Sequence, residues 1–76
     1  MSLAKFERIT LDSILDQDCI VRKFDNDNYQ YFKITGYDNN TERYILESFT
    51  GLPESRGYRI ETTTNYLITN FEKLVL

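Results

Sequence analysis

The pattern of apolar and polar positions along the chain predicts one short helix near the start. Leu11, Ile14 and Leu15 fall at helical spacing on one face. Thr10 precedes them as a possible N-cap, and Asp12 would lie in the first turn. This segment is therefore predicted to form one or two turns of helix, which need other elements to pack against because so short a helix is marginal alone.

The rest of the chain has the alternation that is typical of β-strands. In Tyr29 to Tyr37, Tyr31 and Lys33 point to one side, while Phe32 and Ile34 point to the other. The predicted strands cover residues 18–25, 29–37, 42–49, 58–62 and 71–76, and residues 66–68 either continue the fourth strand or form another. Turns rich in Asn, Asp and Thr are predicted at 25–28, 38–41 and 69–70, and a loop with two of the three glycines and the only proline at 50–57.

These elements predict an all-β fold with a short N-terminal α-helix. Five strands between residues 18 and 76 are too few for a large sandwich, but they can close into a small, strongly bent barrel. Closure would also hide the edge strands that so small a sheet exposes. Because the chain has no repeat, linker or low-complexity segment, residues 1–76 are predicted to form a single domain.

Length and composition indicate a small protein in a reducing compartment. The chain has 76 residues, and 41% of them are apolar, which supplies a core of modest size. No apolar run approaches the roughly 18 residues that a membrane span needs, and the chain does not begin with a signal-peptide pattern. Cys19 is the single cysteine, so no disulfide can form within the chain. We therefore predict a cytoplasmic protein with no membrane partner.

The absence of histidine argues against an enzyme. Without histidine, the chain has neither the commonest general base nor the commonest metal ligand, and it cannot form a Ser–His or Cys–His nucleophile pair. The acidic turn Asp25–Asn28 lacks the glycine and the distal glutamate of a calcium loop. We predict no catalytic residues, metal or cofactor; an enzyme would need a site shared between subunits and built from carboxylates and tyrosines.

The charge of the chain leaves two kinds of ligand surface open. The net charge of −3 argues against nucleic-acid binding by bulk electrostatics. The basic clusters Arg22–Lys23 and Arg56–Arg59 either touch phosphate or are solvated surface. The six tyrosines either form a stacking platform for bases or pack in cross-strand pairs.

Residues 31–46 (YFKITGYDNNTERYIL) resemble the first signature of Sm-like (LSm) proteins. Tyr31, Ile34, Tyr37 and Asp38 match that signature in type and spacing, and the predicted order of a helix followed by five strands is that of the family. Residues 67–74 echo the second signature. The chain departs from the family where Lys33 replaces a glycine, where Thr41 and Glu42 replace the base-stacking residue and its asparagine, and where Thr69 and Asn70 replace Arg-Gly. It is similar to a divergent member, and a phage-encoded relative would fit that divergence.

The resemblance implies a homo-oligomeric ring of about five to eight subunits that binds single-stranded RNA or acts as an RNA chaperone. In such a ring the fourth strand of one subunit pairs with the fifth strand of the next. The implied interface residues are Tyr58, Ile60, Tyr66, Ile68, Phe71 and Leu74. The implied RNA-binding residues are Asp38, Asn40, Thr41, Arg43, Thr69 and Asn70.

The implied roles within the RNA site differ from residue to residue. Asp38 would orient the pocket by accepting backbone hydrogen bonds, Asn40 and Asn70 would read base edges, and Arg43 would meet a phosphate. Thr41 has no π face for stacking, which removes about 1–3 kcal/mol per base. The alternative is therefore an SH3-like barrel that acts as a protein-interaction or structural module without nucleic-acid binding, through its tyrosines and acidic surface.

Overall fold

Six strands and one helix make up the part of the chain that the computed structural model describes, residues 5–49 and 57–75. All strand pairs are antiparallel, and the order across the single sheet is β1-β6-β2-β3-β4-β5, with β1 and β5 at the edges. The prediction of a mostly β fold with one short helix is thus confirmed, and within the described residues no pairing joins β1 to β5. The elements are β1 Lys5–Arg8, β2 Ile20–Asp25, β3 Asn28–Asp38, β4 Arg43–Ser48, β5 Arg59–Thr63, α1 Thr64–Asn70 and β6 Phe71–Val75.

The hairpin between β2 and β3 forms where the sequence predicts it. Asn26 and Asp27 have φ angles of 50° and 65°, so both occupy the left-handed region. Asn and Asp tolerate that region better than most residues, and two such residues match the twist of the flanking strands. The turn brings Phe24 opposite Tyr29 in the ladder.

The turn between β3 and β4 is closed by Asp38. Its Oδ1 accepts hydrogen bonds from the backbone N–H of Asn40 at 2.8 Å and of Thr41 at 3.4 Å. Glu42 follows with a φ of 56°, a left-handed conformation in a residue that has a Cβ. This conformation costs a residue other than glycine about 1–2 kcal/mol.

Replacing Glu42 with glycine is expected to raise the free energy of unfolding by about 0.5 kcal/mol. Glycine removes the left-handed strain but returns about 0.5–1 kcal/mol through the larger entropy of the unfolded chain. Urea denaturation of the wild type and of Glu42→Gly measures the difference, with Glu42→Ala as the control that keeps the strain. A glycine variant no more stable than the alanine variant would contradict the prediction.

Strand β3 is long and irregular, and this bends the sheet. Its first half pairs with β2 and its second half with β4, and the β3–β4 register shifts between Ile34 and Gly36. The hydroxyl of Thr35, at the shift, donates to the carbonyl of Ile45 at 3.2 Å. An extra residue of this kind increases the local twist and bends the strand that carries it.

The core lies on one face of the sheet, which we call the inner face. The strand residues Val21, Phe32, Ile34 and Leu46 are almost fully buried there, and α1 adds Leu67. Burying one such side chain stabilises the fold by about 1.5–3 kcal/mol relative to leaving it in water. Ile9 and Phe71 complete the set of buried apolar side chains among the described residues.

The predicted N-terminal helix is wrong. Residues 10–15 form a turn and irregular backbone, and Leu11 and Ile14 are 81% and 66% exposed. Thr10 and Ser13 instead bond to each other: the Thr10 N–H donates to the Ser13 hydroxyl, and the Ser13 N–H donates to the Thr10 carbonyl. A helix of one or two turns has a costly nucleus, and of its three apolar side chains only Leu15 packs against the core, so these local bonds prevail.

The helix lies instead in the segment for which the sequence predicts a strand and a tight turn. Residues 64–70 form α1, so both predictions for residues 66–70 are wrong. The Thr63 hydroxyl caps the helix by accepting the Tyr66 N–H at 3.2 Å, and the Phe71 N–H closes the other end on the Leu67 carbonyl. The segment is rich in β-forming residues, but burial of Leu67 and the cap outweigh that weak preference.

The remaining boundaries differ from the predicted ones in detail. The first predicted strand begins at residue 20 rather than 18, and the fourth runs over 59–63 rather than 58–62. The predicted loop at 50–57 lies outside the described residues except for Gly57, and so does Leu76. Strand β1 has no counterpart among the predicted elements. Among the described residues, no helix has the length and apolar character to cross a membrane.

Candidate functional site

The residues implied for RNA binding form two groups in the fold. Asp38 to Arg43 make up the β3–β4 turn, whereas Thr69 and Asn70 end α1. Arg43 pairs in register with Thr63, the cap of the helix, so the start of α1 lies beside the turn. The end of α1 lies about 10 Å further along the helix axis.

The polar groups in both places serve their own local structure. The Asp38 carboxylate accepts two backbone hydrogen bonds, as implied, and both come from its own turn. The Asn70 side-chain nitrogen donates to the Tyr66 carbonyl at 3.1 Å. The turn residues Asn40, Thr41 and Arg43 are exposed. These contacts are those of a hairpin turn and of a helix end.

The residues implied for a subunit interface differ in accessibility. Phe71 is 2% exposed and belongs to the core, and Ile60 and Ile68 pack partly buried against that core. Tyr66 forms a hydrogen bond with Lys23, and this bond raises the pKa of Lys23 above its ordinary value. Tyr58 is 64% exposed, and Leu74 is half-buried.

The backbone of the last strand is paired on both sides. Strand β6 lies between β1 and β2 in the sheet. It therefore offers no open edge to the fourth strand of a neighbouring subunit, which the implied ring contact requires. The cause is β1, whose pairing with β6 the sequence does not predict. Strand β5, by contrast, pairs with β4 alone among the described strands.

The face of the sheet opposite the core, which we call the outer face, carries a row of charged and aromatic side chains. Arg8 lies opposite Glu72, Glu72 opposite Arg22, and Arg22 opposite Tyr31. Directly opposed residues in an antiparallel ladder point to the same face. One row therefore crosses four strands.

Five aromatic side chains, one of them the Tyr31 of this row, lie together on the outer face. The ring centroid of Tyr31 lies 5.8 Å from that of Phe6, 6.3 Å from that of Tyr29 and 6.4 Å from that of Phe49. Tyr29 also meets Phe24 edge-on at 5.1 Å. We call Phe6, Phe24, Tyr29, Tyr31 and Phe49 the outer aromatic cluster. Contacts of this kind add about 0.5–1.5 kcal/mol per pair beyond burial.

Arg22 lies within the cluster and forms an ion pair there. Its guanidinium carbon is 3.9 Å from the ring centroid of Tyr29 and 4.1 Å from that of Phe6. Its Nε donates to Glu72 Oε1 at 2.7 Å. Burial acts to lower the pKa of Arg22, but hydrogen bonds to Glu72 and Tyr31 raise it overall. The guanidinium is thus a fixed cation held between two rings.

Much of the cluster remains open to solvent. Phe24 is 58% exposed, Phe49 43% and Tyr29 42%. Lys33, at the next outward position of β3, has its ammonium 3.9 Å from the Asp18 carboxylate. Aromatic side chains of this size, contiguous and exposed on one face, mark interaction surfaces more often than plain solvated ones.

The described residues offer little for chemistry elsewhere. Burial raises the pKa of Cys19, which keeps the thiol protonated and a poor nucleophile. No group of three acidic or cysteine side chains among the described residues is arranged to hold a metal ion. A groove of about 310 Å³ is lined by Glu7, Thr10, Asp12, Ser13, Ile14 and Lys73, and the Lys73 ammonium is engaged there by the Ile14 carbonyl.

Comparisons of the chain with protein-family models, with curated proteins and with solved structures gave no match.

The outer aromatic cluster is only half visible in the sequence. From the sequence, the tyrosines either form a stacking platform or pack in cross-strand pairs. In the structure, Phe24 and Tyr29 form a cross-strand pair, and so do Tyr37 and Tyr44. Alternation within β2 and the short turn are sufficient signals to place Phe24 beside Tyr29. Nothing local joins Phe6 to this face, because it arrives through the pairing of β1 with β6.

Proposed function

We propose that the protein is a protein-interaction module and that the outer aromatic cluster is its binding surface. The observation that supports this most is a chain of five contacting rings, two of which hold an ion-paired arginine, with Phe24, Tyr29 and Phe49 open to solvent. Tyrosine, phenylalanine and arginine are enriched at protein interfaces, and tyrosine and arginine carry a large share of the binding energy there.

The charges around the cluster favour a protein ligand over a nucleic acid. Arg22 is already paired with Glu72, and Lys33 lies near Asp18. Phosphate contacts need cations without such partners, since neutralising phosphates supplies most of non-specific nucleic-acid affinity. The chain as a whole carries a net charge of −3.

The surroundings of Phe24 and Tyr29 suggest the chemistry of the partner. These two rings flank the β2–β3 turn, which carries the carboxylates of Asp25 and Asp27. A segment with apolar or aromatic side chains next to lysine or arginine would place its apolar groups on the rings and its cations by the turn. Complementary charge of this kind speeds association and fixes orientation.

Replacing Phe24 and Tyr29 together with serine is expected to weaken peptide binding by about 100-fold or more, because each substitution removes an exposed aromatic anchor. Selection from a library of short random peptides displayed on phage, with the wild-type protein as bait, supplies the ligand. The affinity of the selected peptide is then measured by calorimetry. Tyr37→Ser is the matched control, since Tyr37 is 44% exposed and also packs edge-on against a ring, that of Tyr44.

Two results would count against this proposal. One is a selection that yields no sequence preference for apolar and basic residues. The other is a selected peptide that binds the double variant as well as it binds the Tyr37 control. Nuclear magnetic resonance spectra of the double variant show whether its fold is retained, so that lost binding can be assigned to the rings.

RNA binding by an Sm-like protein is the second candidate function. The observation that favours it is the same set of exposed rings, because aromatic side chains on a sheet surface stack nucleobases at about 1–3 kcal/mol per base. Filter binding with U-rich and A-rich oligoribonucleotides tests it. If the wild type retains either oligomer and Phe24→Ser/Tyr29→Ser does not, the ligand of the outer aromatic cluster is RNA and not a protein.

For the fold, we infer that the sheet curls toward a small barrel. The bend at Ile34–Gly36 supports this inference. The position of the helix, between the last two strands rather than before the first, favours the SH3-like alternative over the Sm-like order. We propose that the curled sheet stays open between β1 and β5, which leaves the outer edge of β5 free. Amide contacts between β1 and β5 in nuclear magnetic resonance spectra would instead show a closed barrel, in which β5 could not pair with another strand.

A further inference from the structure

The edge strand β5 presents unpaired backbone groups in a defined pattern. The Ser48 N–H donates to the Tyr58 carbonyl at 2.8 Å, so the backbone of Tyr58 is directed toward β4. N–H and C=O groups alternate in direction along a strand. Ile60 and Thr62 therefore also face β4, and the backbone groups of Arg59 and Glu61 face away from the sheet. Strand β5 has no second neighbour among the described strands.

The side chains of the same two residues are exposed and opposite in charge. Arg59 and Glu61 are both exposed, and their register partners Glu47 and Ile45 put them on the outer face. Neither forms an ion pair within the described residues. Ile60, between them, points to the inner face and is partly buried.

Charge selects one way of pairing this edge with itself. Two antiparallel copies of β5 can exchange hydrogen bonds only in registers that place opposite each other the residues whose backbone groups face away from the sheet. Arg59 opposite Arg59, or Glu61 opposite Glu61, would set like charges against each other, which destabilises a cross-strand pair. The register that lies between these two sets Ile60 opposite Ile60 at the centre. It places Arg59 opposite Glu61 on both sides of that centre.

We propose that β5 of one copy pairs antiparallel with β5 of a second copy, with the two-fold axis through Ile60. The two sheets then continue as one, with two Arg59–Glu61 pairs on the outer face. Such an interface is the same patch on both copies and closes at two, so no further β5 edge remains exposed.

The dimer would carry two outer aromatic clusters on one side. The axis runs perpendicular to the sheet, because the paired strands keep their outer side chains on the same face. A partner with two binding segments could engage both clusters, which raises its apparent affinity without any new contact. The pairing itself does not depend on what the clusters bind.

Sedimentation velocity between about 10 μM and about 1 mM protein tests the proposal, since an interface this small is expected to be weak. We expect a monomer–dimer equilibrium in the wild type. Arg59→Glu and Glu61→Arg should each weaken dimerisation by about tenfold or more, because each turns both attractive pairs into repulsive ones. Both residues are exposed, so thermal unfolding monitored by circular dichroism should stay near that of the wild type.

Charge complementation separates this register from any other contact. The double variant Arg59→Glu/Glu61→Arg should dimerise like the wild type, and an equimolar mixture of the two single variants should form the mixed dimer. A wild-type protein that stays monomeric, a discrete species of about five to eight subunits, or a dimer indifferent to these changes would overturn the proposal. Binding of the selected peptide by the monomeric Arg59→Glu variant distinguishes failure of the dimer from failure of the binding face.

Discussion

Replacing Phe71 with alanine is expected to destabilise the protein by about 3–5 kcal/mol, the range found when a buried aromatic side chain is truncated. Phe71 is 2% exposed and begins β6, directly after the helix. Its ring meets Phe32 edge-on at 5.7 Å and lies 6.0 Å from Tyr66. Truncation would leave a cavity between the helix and the sheet, at a junction that both elements share.

This loss is large compared with the total free energy of unfolding of a chain of this size. At about 0.05–0.15 kcal/mol per residue, a 76-residue protein has roughly 4–11 kcal/mol of stability in total. Phe71→Ala should therefore populate the unfolded state in little or no urea. Urea denaturation followed by circular dichroism measures the change, with the half-buried Leu74→Ala as the control, for which a smaller loss is expected.

This variant also separates two roles for the same residue. The Sm-like resemblance implies that Phe71 lies in a subunit interface, whereas its burial in the single chain makes it part of the core. A core residue lowers the stability of the chain at every protein concentration. If Phe71→Ala left the unfolding midpoint unchanged and altered the native mass alone, the interface role would be the correct one.

Removing residues 1–8 is expected to convert the protein into larger assemblies. Strand β1 covers the outer edge of β6, and its register runs from Lys5 opposite Val75 to Arg8 opposite Glu72. Without β1, the backbone of β6 becomes an open edge that can pair with another chain. The truncation retains Ile9, which is 1% exposed in the core. Light scattering behind a sizing column measures the mass of both proteins at equal concentration.

A synthetic peptide with the sequence of residues 1–8 supplies the control. If the open β6 edge causes association, the added peptide should occupy it as a strand and restore the mass of the full-length protein. A truncated chain that keeps its β-sheet signal and its original mass would show that β1 does not protect this edge. In that case, β1 would also be no obstacle to the subunit ring that the Sm-like resemblance implies.

Local sequence patterns correctly predict the parts of the fold that depend on neighbours in the chain. Alternation in residues 29–37 identified β3 and its buried side chains Phe32 and Ile34, and Asn and Asp located both hairpin turns. These features follow from the period of a strand and from the few residues that tolerate tight turns. The absence of histidine likewise restricts the chemistry open to the chain, because it is a property of composition and does not depend on the fold.

Features that depend on distant partners in the chain are visible only in the folded protein. Residues 5–8 form a strand because β6, some 65 residues away, offers an edge, and nothing in their own pattern indicates it. Residues 64–70 form a helix because Thr63 caps it and Leu67 fits the core, while the sequence Thr-Asn-Tyr-Leu-Ile-Thr-Asn has the composition of a strand. In residues 10–15, Leu15 alone packs against the core while Leu11 and Ile14 stay exposed, and no helix forms. Propensities near 1 kcal/mol or less favour an element locally, and burial worth about 1.5–3 kcal/mol per side chain decides whether it forms. The outer aromatic cluster follows the same rule, because its rings from β1, β2 and β3 meet only through strand pairing.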